Sequence, residues 1–368
     1  MRKLLEYAAM TVIAAAAFNT ACGGGGSTFL PIVKLVHPGY AYVTNSADNT
    51  VSQYTIESSG ALISMSTASI STGSGPTSIA ADPWGKSVYV TNALDNTISQ
   101  YTIGAGGELV SMPAATVSTG NRPSSVIVDP SGKYVYVTNL DDSTVSQYTM
   151  SASGALVSLS TATVSTGRQP ISITCDPSGK YVFVANIGDG TVSQYTIGAG
   201  GMLISMSTAT VSTGTQPTSI VVDPAGRYAY ITNFIDNSVS QYTIGTGGAL
   251  VSMSTASVST EIMPYSLAVD PTGKYVYVTN YGSKSVSQYT IGAGGALVSM
   301  STGTVSTGIW PSSIAVDPSG RYAYVTNYNP GTISQYMIGA QGEFVSMSPA
   351  TIAAGIEPTH IVTVSASQ

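Results

Sequence analysis

Asp270-Pro-Thr-Gly-Lys-Tyr-Val-Tyr-Val-Thr-Asn280 decides the architecture. Pro271 presets its own φ, Gly273 supplies a left-handed turn position, and the Asp270 carboxylate can cap the turn backbone. The β-branched and aromatic residues from Tyr275 to Asn280 then read as a strand. The same phrase returns along the chain. Tyr-Val-Thr-Asn, or a close variant, ends at Asn45, Asn92, Asn139, Asn186, Asn233, Asn280 and Asn327, always 47 residues apart. Seven such units account for 329 residues, the full distance from Tyr40 to Gln368, so nothing is inserted or deleted.

Each unit carries four strand signals. Ser313 to Asp317 alternates as a first strand, the turn Asp317-Pro-Ser-Gly-Arg321 leads into a second from Tyr322 to Asn327, and a short link such as Asp95-Asn-Thr97 opens a third, Ile98 to Ile103. A glycine-rich turn then precedes a fourth, as in Ala249 to Ser259. A period near 45 with four antiparallel strands per unit points to an all-β, seven-bladed β-propeller, because a ring needs no polar end caps and a solenoid does. The first unit starts at its second strand, near Tyr40. The chain ends on Pro358-Thr-His-Ile-Val-Thr-Val364, which aligns with the first strand of every other unit, so the C-terminal strand should complete the first blade. Ile32 to Val36 is the rival for that place, two residues out of spacing.

Residues 1–21 read as a signal peptide, with Arg2 and Lys3 before an apolar run from Ala8 to Phe18 that is too short to span a bilayer. Asn19-Thr-Ala-Cys22 resembles the cleavage site of a bacterial lipoprotein, which implies lipidation of Cys22; ordinary signal cleavage nearby is the alternative. Residues 22–37, glycine-rich at their start, read as a tether, and residues 38–368 as the propeller. Without Arg2, Lys3 and Glu6 the chain keeps 10 basic and 17 acidic residues, a net charge of −7. Basic attraction to lipid or nucleic acid is thereby excluded, and the lipid is the only membrane attachment expected. With 8% charged and 43% hydrophobic residues the chain is no disordered segment. Cys175 reads as a small buried hydrophobe.

The repeated Tyr-Val-Thr-Asn, the Asp-Pro-x-Gly-Lys/Arg turn and the Thr-Val-Ser-Gln-Tyr strand resemble the YVTN β-propeller repeats of bacterial and archaeal surface proteins, over residues 38 to 368. They are similar to the seven-bladed lactonase superfamily, which includes propeller-type 6-phosphogluconolactonases. The resemblance implies fold more firmly than activity.

Residues repeated seven times are structural. The Asp-Pro turns at Asp82, Asp129, Asp176, Asp223, Asp270 and Asp317 read as solvated ion pairs with the Lys or Arg four residues on, since one carboxylate per blade is spread too widely for a metal. No metal or cofactor is expected. Function belongs where the repeat breaks, in the loops that converge on one channel mouth. Asn121, Arg122, Arg168, Gln169 and Gln216 form a polar arc there. Phe234, Ile235, Ile262, Met263, Tyr265, Tyr281, Ile309, Trp310 and Tyr328 form an apolar, aromatic arc opposite, with Glu357 beside it. Such an arc marks an interaction site, unless its side chains pack among themselves. His360 replaces the serine of the other six units. It reads as a general acid or base for opening a lactone, or simply as a histidine wedged into the closing strand. His37 has less to support it.

Two functions follow. The first is a monomeric, exported, lipid-anchored, non-enzymatic binding or structural module facing the periplasm or cell surface, with an envelope protein, glycan or small molecule at the mouth. The second, implied by the superfamily resemblance, is a lactonase-like hydrolase acting on an exported or extracellular lactone, with His360 as acid/base and Arg122 or Arg168 on an anionic substrate.

Overall fold

The computed structural model describes residues 39–366, and every regular element of size is a strand. The proposed signal peptide and tether, Cys22, His37 and the rival strand Ile32 to Val36 lie outside the described residues. Seven antiparallel sheets of four strands each form the blades. In the fifth blade these are β16 (Pro217–Val222), β17 (Tyr228–Asn233), β18 (Ser238–Ile244) and β19 (Leu250–Ser259), in that order from one edge to the other. The first strands start at the proline rather than two residues later, because a residue without an N–H is tolerated at the first position of a strand. In the seventh blade the hairpin of β24 (Ile309–Val316) and β25 (Tyr322–Asn329) runs further, pairing Ile309 with Asn329.

The ring closes as the sequence implies. β28 (Pro358–Ser365) lies antiparallel to β1 (Gly39–Asn45), pairing Gly39 with Ser365 and Thr44 with His360. The first blade is therefore built from both ends of the described chain.

The core lies between blades. Ala41, Val43, Tyr54 and Leu62 of the first blade pack with Tyr324 and Ile333 of the seventh, and six further clusters repeat that contact around the ring. The preference for Tyr over Phe has its reason in these seams. Tyr136 is fully buried, yet its hydroxyl donates to the Gly201 carbonyl of the next blade at 2.6 Å; Tyr148 donates to Ser118 at 2.6 Å. Burial pushes the Tyr148 phenol up to about 12, which keeps it a donor. A second polar seam uses Gln194, whose Oε1 accepts the Leu250 N–H at 2.7 Å while its Nε2 donates to the Thr208 carbonyl at 2.8 Å.

The Asp-Pro turns correct the expectation of solvated ion pairs. All six carboxylates are buried. Asp129 Oδ1 accepts the N–H groups of Lys133 and Tyr134 at 2.8 and 2.7 Å, and Oδ2 that of Ser131 at 3.1 Å. Turn amides shielded from water need acceptors, and a carboxylate serves them better than it serves a solvated lysine. Among the described residues only Arg227 and Asp223 combine the turn with an ion pair, at 3.6 Å.

Candidate axial mouth

Two loops from each blade meet around the axis at one face, and the hydrogen bonds between them show how. Leu140, which follows the second strand, donates its N–H to the carbonyl of Arg122 at 3.0 Å; Phe234 does the same to Gln216, and Tyr281 to Met263 at 2.8 Å. The accepting residue, just before the strand-opening proline, has positive φ in every blade: Gly75, Arg122, Gln169, Gln216, Met263, Trp310 and Glu357 lie between 53° and 63°. Only one of the seven is glycine. This left-handed conformation is costly for a large side chain and is held by outside contacts, such as the Asn96 Oδ1 that accepts the Arg122 N–H at 2.8 Å. The ring thereby fixes where seven variable side chains stand.

Inside it lies an axial cavity of about 540 Å³ lined from all seven blades. Arg122, Phe234, Tyr265, Tyr281, Tyr328 and His360 reach its wall, together with a ring of serine and threonine hydroxyls. Arg168, Gln169, Gln216, Met263, Trp310 and Glu357 do not line it. Gln169, Gln216, Met263 and Trp310 are exposed, Arg168 is exposed and ion-paired to Asp189 at 3.1 Å, and Glu357 accepts the Ser46 hydroxyl at 3.1 Å. Arg122 stands 3.7 Å from Asp141.

The aromatic residues form one continuous series over three adjacent blades. Phe234 meets Tyr265 edge-on at 6.3 Å, Tyr265 lies 5.7 Å from Tyr281, Tyr281 stacks on Trp310 at 5.7 Å with planes 4° apart, and Trp310 touches Tyr328 at 6.4 Å. They do pack among themselves, yet Trp310 remains 41% exposed at the rim. Burial, and then the Glu357 carboxylate, push the Tyr328 phenol up to about 12, so it stays a hydrogen-bond donor.

His360 takes over a serine's duty. Ser172 Oγ accepts the Ile220 N–H of the next blade at 3.2 Å, and Ser313 Oγ accepts that of Ile361 at 3.4 Å; in the closing strand it is His360 Nδ1 that accepts the Ile79 N–H, at 3.2 Å. With Nδ1 an acceptor, the proton sits on Nε2. Burial pulls the imidazole pKa down to about 4, so the ring is neutral at ordinary pH. The sequence marked His360 but could not show this tautomer.

A stability prediction follows from the sign of that shift. The unfolded chain takes up the proton below about pH 6.5 and the folded chain only near 4, so stability is intact above 6.5 and falls across that window by up to about 3 kcal/mol. His360→Ser, the residue of the sister blades, should remove this component. Urea unfolding of both proteins at pH 7 and pH 4 measures it; equal losses in the two would refute it.

Among the described residues no three His, Cys, Asp or Glu side chains gather as metal ligands would. Cys175 is partly buried, and burial raises its thiol pKa, so it stays protonated.

The model of the family described as lactonase, 7-bladed beta-propeller, matches residues 32–170 and 165–361. A search of curated proteins finds no match to the chain. Among solved structures, a candidate 6-phosphogluconolactonase from Bacteroides uniformis is similar with TM-score 0.79 and 17% identity, covering 89% of this chain and 100% of that one. One from Bacteroides fragilis has TM-score 0.79 and 19% identity, covering 89% and 98%. The periplasmic gluconolactonase of Pseudomonas aeruginosa has TM-score 0.76 and 18% identity, covering 89% and 99%. At such identities these structures share the fold.

Proposed function

This chain belongs to the seven-bladed β-propeller lactonase family, and from that premise we propose that its axial mouth binds a small sugar-type lactone and opens the ring with water. The observation that carries the reading is His360, whose fixed tautomer gives a neutral N–H donor to a cavity that Arg122 and an aromatic wall also line. The lactone's apolar face lies on Tyr265 and Tyr281. Its carbonyl oxygen accepts from His360 Nε2–H, a bond that strengthens as water adds and charge gathers on that oxygen. As the adduct collapses and the ring C–O bond breaks, one proton of the added water goes to the ring oxygen, which leaves as a hydroxyl, the other is released to solvent, and Arg122 draws the product carboxylate. His360 is a donor in this scheme, rather than the general acid or base that the sequence reading pictures. The reading of residues 1–21 as a signal peptide supports a substrate outside the cytosol, and so an unphosphorylated lactone.

His360→Ser should lower kcat by about 100-fold with little change in KM, the usual loss for one oxyanion donor, while Arg122→Ala should mainly raise KM. Lactone turnover by the purified protein, followed as acid release, measures both. Unchanged kcat in His360→Ser would refute the role of the imidazole. Binding without turnover would return the mouth to the first reading of the sequence, a non-enzymatic binding module at the cell envelope, for which the stacking of half-buried Tyr281 on exposed Trp310 speaks.

A further inference from the structure

The loops around the axial mouth are tied in one way in five blades and in another in two. In the first to fifth blades Asp48, Asp95, Asp142, Asp189 and Asp236 each accept, through Oδ2, the N–H of the residue two before the strand-opening proline, at 2.6–2.7 Å. In the sixth blade Ser283 Oγ takes over, accepting from Ile262 at 3.0 Å. In the seventh the place falls to Pro330, and Ile309 pairs with Asn329 in the lengthened hairpin. The rim therefore loses this ring of carboxylates in two adjacent blades.

Apolar side chains stand in the same two blades. Ile262, Met263, Ile309 and Trp310 are all exposed, at places where the second to fifth blades carry polar residues or glycine. The charges left in these loops are Glu261 and Lys284, one of each sign. Tyr281 joins this patch to the cavity: its ring lines the cavity wall and stacks on Trp310, and its N–H donates to the Met263 carbonyl at 2.8 Å. Ile262 covers the adjoining Gly282, its Cγ2 standing 2.8 Å from the place of a Cβ there. A left-handed backbone, φ 57°, holds the indole at the rim, a conformation that costs energy and persists at sites where it orients a side chain.

We propose that the axial mouth takes a lactone bearing a hydrocarbon chain, with the ring in the cavity and the chain laid over Tyr281 onto Trp310, Met263 and Ile262. The proposal rests on the reading that a lactone occupies the cavity, and it names the part of the substrate that the cavity does not hold. The chain stands where a sugar lactone carries its hydroxylated arm, on the carbon that bears the ring oxygen. Inside, serine and threonine hydroxyls serve the oxygens of the ring. Outside, the chain and the rim remove each other's apolar surface from water, and methionine adapts to its shape. A second sugar would find an aromatic platform here, but its hydroxyls would meet the aliphatic flank of Ile262 and Met263 without a side-chain partner.

Calorimetric titration of the full chain with γ-hexalactone, γ-octalactone and γ-decalactone tests this, with acid release followed in parallel. Affinity should rise about twofold for each half-buried methylene, so γ-decalactone should bind about 15-fold more tightly than γ-hexalactone. The ratio compares one ring with two chains, so it reads the chain alone. Trp310→Gln should cut it to about fivefold or less, and so should Ile262→Thr combined with Met263→Gln. These changes install residues that sister blades already hold at the same places, Thr215, Gln169 and Gln216, the last two with the same left-handed backbone, so the variants should fold. A wild-type ratio below about twofold overturns the proposal. So does a wild-type ratio retained in Trp310→Gln, which would put the chain elsewhere. Acid release separates this from hydrolysis: turnover without a chain effect on affinity overturns the rim subsite and leaves the hydrolase standing. Chain-dependent binding that the rim variants abolish, without turnover, supports the subsite and removes the hydrolase.

Discussion

Cutting the chain after Glu357 should abolish the folded monomer. The truncation removes β28 and leaves β1 as a bare edge whose N–H and C=O groups were paired along its whole length. Ile361 and Val364 leave two inter-blade clusters at the same time. Burying each such side chain is worth about 1.5–3 kcal/mol, and each ladder hydrogen bond about 0.5–1.5 kcal/mol. The sum is on the order of 10 kcal/mol, comparable with the whole stability of an ordinary domain. Moreover, a ring that has lost one strand exposes an edge that invites pairing with another chain. Light scattering with thermal melting should show aggregated or unfolded protein, and a synthetic peptide of residues 358–368 should restore a monomeric transition. A truncated protein that melts as a monomer within a few degrees of the full chain would show that closure contributes little.

That closing strand was legible in advance because it depends only on spacing and pattern. A 47-residue period without insertion defines the unit, and Pro358 to Val364 fits one place in it. The converging loops were legible for the same reason, which is why Arg122, Phe234, Tyr265, Tyr281, Tyr328 and His360 could be singled out and are found on one cavity wall. What could not be read is which member of a converging pair turns inward. Gln169 and Met263 hold the same left-handed position as Arg122, yet their side chains miss the cavity. A period also says nothing of the partner a polar side chain finds. Asp129 and Lys133 look like an ion pair four residues apart, but the carboxylate is spent on the amides of its own turn. His360 differs again: its role follows from the Ile79 N–H, which lies 281 positions away.

The same blindness to partners hides the glutamine of each third strand, and Gln194→Ala should be among the most destabilising single substitutions in the chain. Gln194 lies between Val192 and Tyr195 in a strand that reads as ordinary β-structure, yet it is fully buried. It stands where the ladder to the outer strand breaks register, Ser193 pairing with Thr210 but Tyr195 with Ser205. Its Nε2 serves the Thr208 carbonyl left over by that bulge, while its Oε1 takes the Leu250 N–H of the neighbouring blade. One amide therefore mends a bulge and bonds two blades. Alanine would strand both backbone groups away from water, at about 1–3 kcal/mol each, and leave a void besides. A loss of about 3–5 kcal/mol is expected. Chemical unfolding measures it, with exposed Gln169→Ala as the comparison that should change stability by less than about 0.5 kcal/mol. Gln194→Glu sharpens the argument: a carboxylate can still accept from Leu250 but cannot donate to Thr208, so it should be as damaging as alanine at pH 7. If either variant unfolds like wild type, the blades are joined by their apolar seams alone and the glutamine ring is dispensable.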